Sequence, residues 1–260
     1  MTEPLEFIDL EVVNRVGWLR YNRPPLNAFN WQMVAEVSAG LARLSNDPQV
    51  RVIVIGSAVE KYFSAGADLQ EFVDIGGARM REWALRCHKI VHLLRDMPQP
   101  TLASIGGTAV GGGLEMTLHC DIRFAGEGAR FGQPEINIAF IPPIATTQAL
   151  ARLVGRSQAI RYLYDGRLID AAHALEIGLV DEVVPDEALE KHVQAYAEHL
   201  ADRPRQALAA IRRTVTIGGG MNFDDGLALE LGEVARLADT PDFAEGVAAF
   251  LAKRKPKWHD

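Results

Sequence analysis

Two glutamates, Glu115 and Glu135, each stand a few residues after glycine: Gly111-Gly112-Gly113-Leu114-Glu115 and Gly132-Gln133-Pro134-Glu135. Carboxylates in unlike surroundings can divide a proton transfer, one taking a proton while the other gives one. The glycines at 106, 107, 111, 112 and 113 allow positive φ and close approach of backbone to a ligand. Leu114 to Leu118 reads as the start of a short helix, whose first N–H groups are free and favour negative charge. Backbone donors beside two glutamates suit proton transfer next to a developing oxyanion. The run has no Lys-Ser/Thr after it, so it is not a P-loop, and its spacing breaks the dinucleotide fingerprint. Taken alone, Glu115 reads equally as a charge placed for a helix dipole, and Glu135 as a surface residue.

The elements that must position these residues follow from periodicity. Residues 5–21 read as two strands around Asn14-Arg15, and Pro24 and Pro25 open a loop. Met33 to Leu44 has helical spacing and stops at Asn46-Asp47-Pro48. Val50 to Ile55 is a strand buried on both faces. The loop from Ser57 to Asp68 follows its C-terminal end, the edge where ligands gather in open α/β sheets. A helix over Ala78 to Met97 ends at Pro98 and Pro100. Strands follow at Thr101–Ile105 and Ile122–Ala125, and Ala129-Arg130-Phe131 continues the pattern. Ala145–Val154 and Ser157–Tyr164 read as helices. Asp170 caps Ala171–Ile177, Gly178 stops it, and Leu179–Val184 is the last strand. Beyond Pro185 every segment is helical in period: 186–202, 204–217, 222–239 and 241–252. The expected division is an α/β core over 1–200 and a helical region over 201–260. Leu229, Leu231, Val234, Phe243, Val247 and Phe250 in that region need a cover.

The glycine-glutamate segment, then Cys120-Asp121, then Phe131-Gly132-Gln133-Pro134-Glu135 resembles the enoyl-CoA hydratase/isomerase (crotonase) superfamily. Phe63-Ser64-Ala65-Gly66-Ala67-Asp68-Leu69 resembles its other signature, and Asn22-Arg23-Pro24 with Asn27-Ala28 its N-terminal loop. Ala171 through Val180 and Phe250 through Lys255 match downstream segments, in order and across almost the whole chain. The resemblance implies an α/β fold, a crotonase-like spiral of ββα units with a C-terminal helical trimerisation region. It implies an acyl-CoA hydratase, a lyase that adds water reversibly across an α,β-unsaturated thioester. Glu115 and Glu135 match the family's catalytic glutamates, and Ala67 and Gly112 its two oxyanion N–H donors. Ala28, Ala65, Gly66, Asp68, Leu69, Gly111 and Lys253 are the implied coenzyme A and substrate contacts. No separate cofactor is implied, since coenzyme A belongs to the substrate, and self-association to trimer or hexamer is. Two departures stand out. The Pro24-Pro25-Leu26 loop is short and lacks a lysine, and Pro142-Pro143-Ile144-Ala145-Thr146-Thr147-Gln148 stands where many family hydratases read P-G-x-G-G-T-Q. The alternatives are a hydratase of a cyclic dienoyl-CoA, an isomerase or decarboxylase, and a non-catalytic acyl-CoA-binding subunit. Two intact glutamates favour the hydratase.

Bulk properties agree with that class. A chain of 260 residues, 48% hydrophobic, can bury a full core. A net charge of −7 argues against a nucleic-acid surface. Cys87 and Cys120 are expected as buried free thiols. No window reaches the ~18 apolar residues of a spanning helix, and Met1 to Leu10 has no leader pattern, so a cytoplasmic location without membrane contact is expected. His88 and His92 have i, i+4 spacing, but Lys89 replaces the glutamate of H-E-x-x-H and no third ligand is evident, so no metal is expected.

Overall fold

β-branched and aromatic residues at alternate positions need two apolar faces to bury them, and this chain supplies both. The computed structural model describes residues 4–259. In chain order the elements are β1 (Ile8–Val13), β2 (Val16–Tyr21), α1 (Trp31–Asn46), β3 (Val52–Ser57), β4 (Tyr62–Ser64), α2 (Gly76–Asp96), β5 (Thr101–Ile105), β6 (Thr108–Val110), α3 (Gly112–Thr117), β7 (Ile122–Gly126) and β8 (Arg130–Gly132). They continue with α4 (Thr146–Leu153), α5 (Arg156–Asp165), β9 (Leu168–Asp170), α6 (Ala171–Glu176), β10 (Glu182–Val184), α7 (Leu189–Ala201), α8 (Arg205–Thr216), α9 (Phe223–Ala238) and α10 (Pro241–Leu251).

The strands form a six-stranded sheet, β1-β2-β3-β5-β7-β10, and a four-stranded sheet, β4-β6-β8-β9. The pairs β3/β4, β5/β6 and β7/β8 each give their first strand to the large sheet and their second to the small one. With α2 after the first pair and α3 after the second, this is the ββα spiral. The inner strands of the large sheet are parallel. On β2 and β3, Leu19, Tyr21, Ile53 and Ile55 join the core under α1 and α2, while Val16, Trp18, Val52 and Val54 join a second core under α7. Burial on both faces explains why the β3 segment is apolar throughout rather than alternating.

Two strand expectations are corrected. The run Leu179–Val184 is a strand only over 182–184, because the Leu179 and Val180 N–H groups both donate to Ala174 O and close α6. Arg130–Gly132 does not continue β7: it pairs with β6 and β9 in the other sheet. Asn30, Asp170, Asn222 and Thr240 cap α1, α6, α9 and α10 with their side chains. Cys87 and Cys120 are buried free thiols. No helix among the described residues is long and apolar enough to cross a membrane.

Candidate active site

The second strands of the three ββ pairs deliver three loops to one place. After β4, Asn27 ties the turn: its side-chain NH2 donates to Ser57 Oγ at 2.8 Å and Phe63 O at 3.1 Å. Ser64 Oγ donates to Asn27 O at 2.7 Å and accepts from Gly66 N at 3.1 Å. Ala65 N, Phe29 N and Asp68 N donate to Leu26 O, Gly66 O and Phe29 O. The amides on either side of Ala67 are therefore engaged, and among the described residues the Ala67 N–H has no partner. Gly66 has φ +83, and a Cβ there would meet Val110 O at 2.9 Å and Gly112 N at 3.1 Å, so only glycine lets this loop lie against the next.

After β6, Gly111 donates its N–H to Gly132 O at 2.9 Å and turns with φ +50 into α3. Gly112 is the first helical residue, so its N–H has no intrahelical acceptor and makes no bond among the described residues. Ala67 and Gly112, the residues with these two unengaged amides, both line one cavity. After β8, Pro134–Ile138 forms a 3-10 turn carrying Glu135, whose Oε1 would lie 2.8 Å from a Cβ on Gly111. Gln133, with its NH2 turned to the carboxylate, donates to both Glu135 oxygens at 3.0 and 3.2 Å.

Glu115 is fully buried. Its Oε2 accepts from Ile144 N at 2.7 Å and Thr146 Oγ1 at 2.8 Å, while Oε1 has no partner. Burial, and then the Glu135 charge, pushes its carboxyl up to about 8, against the pull of these donors. Burial pushes Glu135 up to about 7. Two neighbouring carboxyls that both resist ionisation at neutral pH suit proton exchange.

Both glutamates line a cavity of about 260 Å³ with Ala65, Gly66, Ala67, Leu69, Gly111 and Gly112. Phe72, Trp83, Ile138, Phe140, Pro143 and Ile144 complete an apolar wall. Trp83 is locked edge-on between Trp31 and Phe72. Three expected contacts lie outside this lining. Ala28 accepts from Arg23 through its carbonyl, Asp68 pairs with Arg23 and caps the turn at 69–72, and Lys253 sits exposed beyond α10. The Gln133, Ile144 and Thr146 contacts went unread in the sequence. Gln133 lay inside the quoted motif, but nothing local shows that Ile144 and Thr146 reach a residue some thirty positions earlier. A larger cleft of about 580 Å³ lies elsewhere, where Arg20 pairs with Glu190 and Asp186 accepts from Gly128 N. Among the described residues no group of three or more His, Cys, Asp or Glu is gathered as a metal site. His88 instead contacts Pro143 O.

The chain is similar to known proteins of one family. The profile of the family "Enoyl-CoA hydratase/isomerase" matches residues 11–260. A probable enoyl-CoA hydratase of Bacillus subtilis is 35% identical over 96% of this chain and 98% of its own. A crotonyl-CoA hydratase of Syntrophomonas wolfei is 33% identical over 96% of each chain. A solved enoyl-CoA hydratase structure from Geobacillus kaustophilus superposes with a TM-score of 0.95 at 30% identity, covering 99% of this chain and 98% of that one.

Proposed function

We propose a mechanism from the premise that the chain belongs to the enoyl-CoA hydratase/isomerase family and is an acyl-CoA hydratase, an enzyme of the lyase type. The thioester oxygen of an α,β-unsaturated acyl-CoA accepts from the Ala67 and Gly112 N–H groups, an oxyanion hole. Charge gathers on that oxygen as water adds to the β carbon, and each donor is worth ~2.7–4 kcal/mol on the scale of other such holes. One water lies between Glu115 and Glu135. One carboxylate takes a proton from it as its oxygen bonds to the β carbon. The other, protonated, gives a proton to the α carbon as the enolate collapses. The pair starts and ends with one proton, and dehydration runs the same path backwards. The observation that carries this reading is the meeting of two buried glutamates and two unengaged amides in one apolar cavity.

The remaining assignments share that basis. Ala65, Gly66, Leu69 and Gly111 contact the thioester end of the substrate, and Ala28 and Asp68 support that loop from the Arg23 side. Lys253 contributes charge to coenzyme A of a neighbouring subunit in a trimer, paired into a hexamer. Coenzyme A enters as part of the substrate, with no separate cofactor. We read residues 1–200 as the catalytic core and 201–260 as the assembly region. Two buried free thiols favour the reducing cytoplasm. Pro143 and Ile144 on the cavity wall favour a second acyl class, cyclic dienoyl-CoA, beside linear enoyl-CoA.

The test is loss of the enoyl-thioester absorbance with crotonyl-CoA and a panel of branched and cyclic dienoyl-CoA thioesters. Hydration of at least one panel member, abolished in the Glu115→Gln/Glu135→Gln double variant, is expected. Double-bond migration without water uptake across the panel would move the chain to isomerase chemistry.

A further inference from the structure

Thr146 is the first residue of α4, yet its hydroxyl does not serve that helix, whose N-cap, Ala145, offers no side-chain hydrogen bond. The hydroxyl donates to Glu115 Oε2 at 2.8 Å, beside the Ile144 N–H at 2.7 Å, and both residues are fully buried. For two donors so close in sequence to meet one oxygen, the chain turns at Ala145 with φ 62 and ψ 12, a left-handed conformation that alanine rarely adopts. The same loop is fixed from behind. His88 Nε2 lies 2.8 Å from Pro143 O and His119 Nε2 lies 3.1 Å from Ile144 O, so each imidazole carries its proton on that nitrogen. The other glutamate oxygen, Oε1, is left without a protein partner, and Glu115 lines the cavity.

We propose that Thr146 is a positioning residue: with the Ile144 N–H it saturates Oε2 of Glu115, fixes the plane of the carboxylate and confines proton exchange to Oε1. The hydroxyl stands where the P-G-x-G-G-T-Q pattern has glycine, so this contact is an addition by this chain's own side chain. It rests on Glu115 being one of the two catalytic carboxylates. The Thr146 hydroxyl first, then the backbone N–H groups of Ile144 and Thr146, favour the ionised form and oppose the effect of burial, and both backbone donors remain when only the hydroxyl is removed. The other titratable groups that act on Glu115 are Glu135 on its turn and Cys87 on α2, while His88 and His119 contact the carbonyls of Pro143 and Ile144 behind the loop. All of these stay in place when only the hydroxyl is removed.

The test compares Thr146→Val, Thr146→Ser and Glu115→Gln on the panel thioester that the wild type hydrates fastest. Thr146→Val is expected to lower kcat ~10–100-fold, the scale of one hydrogen bond to a charged group, with KM changed less than about threefold. The limb of the pH–kcat/KM profile that Glu115 governs should move to higher pH, and Thr146→Ser should restore both rate and profile. If Thr146→Val does not fold by circular dichroism and oligomer size, Thr146→Ala against Thr146→Ser makes the same comparison. An unmoved profile with kcat within about threefold, or a serine variant no better than valine, overturns the inference. Glu115→Gln separates the two levels. An active Glu115→Gln removes the catalytic reading itself, whereas an inactive Glu115→Gln beside a normal Thr146→Val removes only the role of Thr146.

Discussion

Glu115 holds a carboxyl where burial works against its charge, and that tension leads to two expectations. Burial pushes Glu115 to about 8 and Glu135 to about 7, so near neutrality the pair retains about one proton. The pH–kcat/KM profile should therefore be bell-shaped, falling on the acid side as both become protonated and on the alkaline side as both ionise. Glu115→Gln and Glu135→Gln should each cost ~10²–10⁴ in kcat with little loss of ligand affinity, and a loss under about threefold would remove that glutamate from the chemistry. The second expectation concerns stability. The folded Glu115 carboxyl titrates near 8 and its reference value is 4.5, so the folded state keeps a proton that the unfolded chain has released. Its contribution to stability is complete below about 4.5 and is lost as pH rises through about 8. Glutamine cannot ionise, so the melting temperature of Glu115→Gln relative to wild type should climb across that window and level off above it. A difference flat in pH would show that the burial of this carboxyl is not sensed in folding.

At the scale of elements, the site depends on the three loops that follow β4, β6 and β8 rather than on any one helix. Gly111 and Gly66 carry the positive φ values, while Gly112 has a φ outside the left-handed region. That difference makes Gly112 testable by substitution. A Cβ at Gly112 would lie 3.2 Å from Ile144 Cδ1, a flexible chain end, and 3.4 Å from Phe29 Cδ2, so Gly112→Ala keeps the N–H at a small packing cost. Gly112→Pro removes the donor at a first helical position, where a fixed φ near −65° is tolerated. The proline variant should lose ~10²–10³ in kcat and still bind coenzyme A, while the alanine variant stays far closer to wild type. Steady-state kinetics beside coenzyme A binding would check it. A folded proline variant with near-normal turnover would take Gly112 out of the oxyanion hole.

Across the whole molecule, the core buries its apolar residues while the C-terminal helices leave many of theirs exposed. Phe223, Leu231, Phe250 and Leu251 are exposed by 79%, 70%, 84% and 76%, far more apolar surface than isolated side chains on a soluble monomer require. A polar tie joins α8 to the core. Arg212 on α8 pairs with Asp121 and donates to the carbonyls of Leu94, Arg95 and Met97 at the end of α2. Exposed apolar faces of this size on α9 and α10 are the feature on which the proposed self-association rests. Light scattering at micromolar concentration should therefore give a trimer or hexamer mass. Truncation before Pro241 should shift that mass down and lower solubility, and a stable full-length monomer would contradict the proposed assembly.

The sequence by itself determined the elements long enough to show a period. The helices α1, α2 and α7–α10, the doubly buried β3 and the caps at Asp170 and Gly178 were readable because local periodicity and capping chemistry repeat within one segment. The glycine-rich run drew notice to Glu115 and Glu135 as local chemistry, whereas Ala67 and Gly112 were named through the family resemblance of the ordered motifs. The three-residue strands β4, β6 and β9 were not readable, since so few residues carry no period. Nor was their gathering into a second sheet, which places β8 apart from β7. Only the tertiary structure decided that Glu135 is buried over Gly111, that the Ala67 N–H has no partner among the described residues, and that Thr146 meets a carboxylate. The physical reason is the same in each case. A hydrogen bond or a burial is a property of two segments brought together, and neither segment's composition records which partner the fold will place against it.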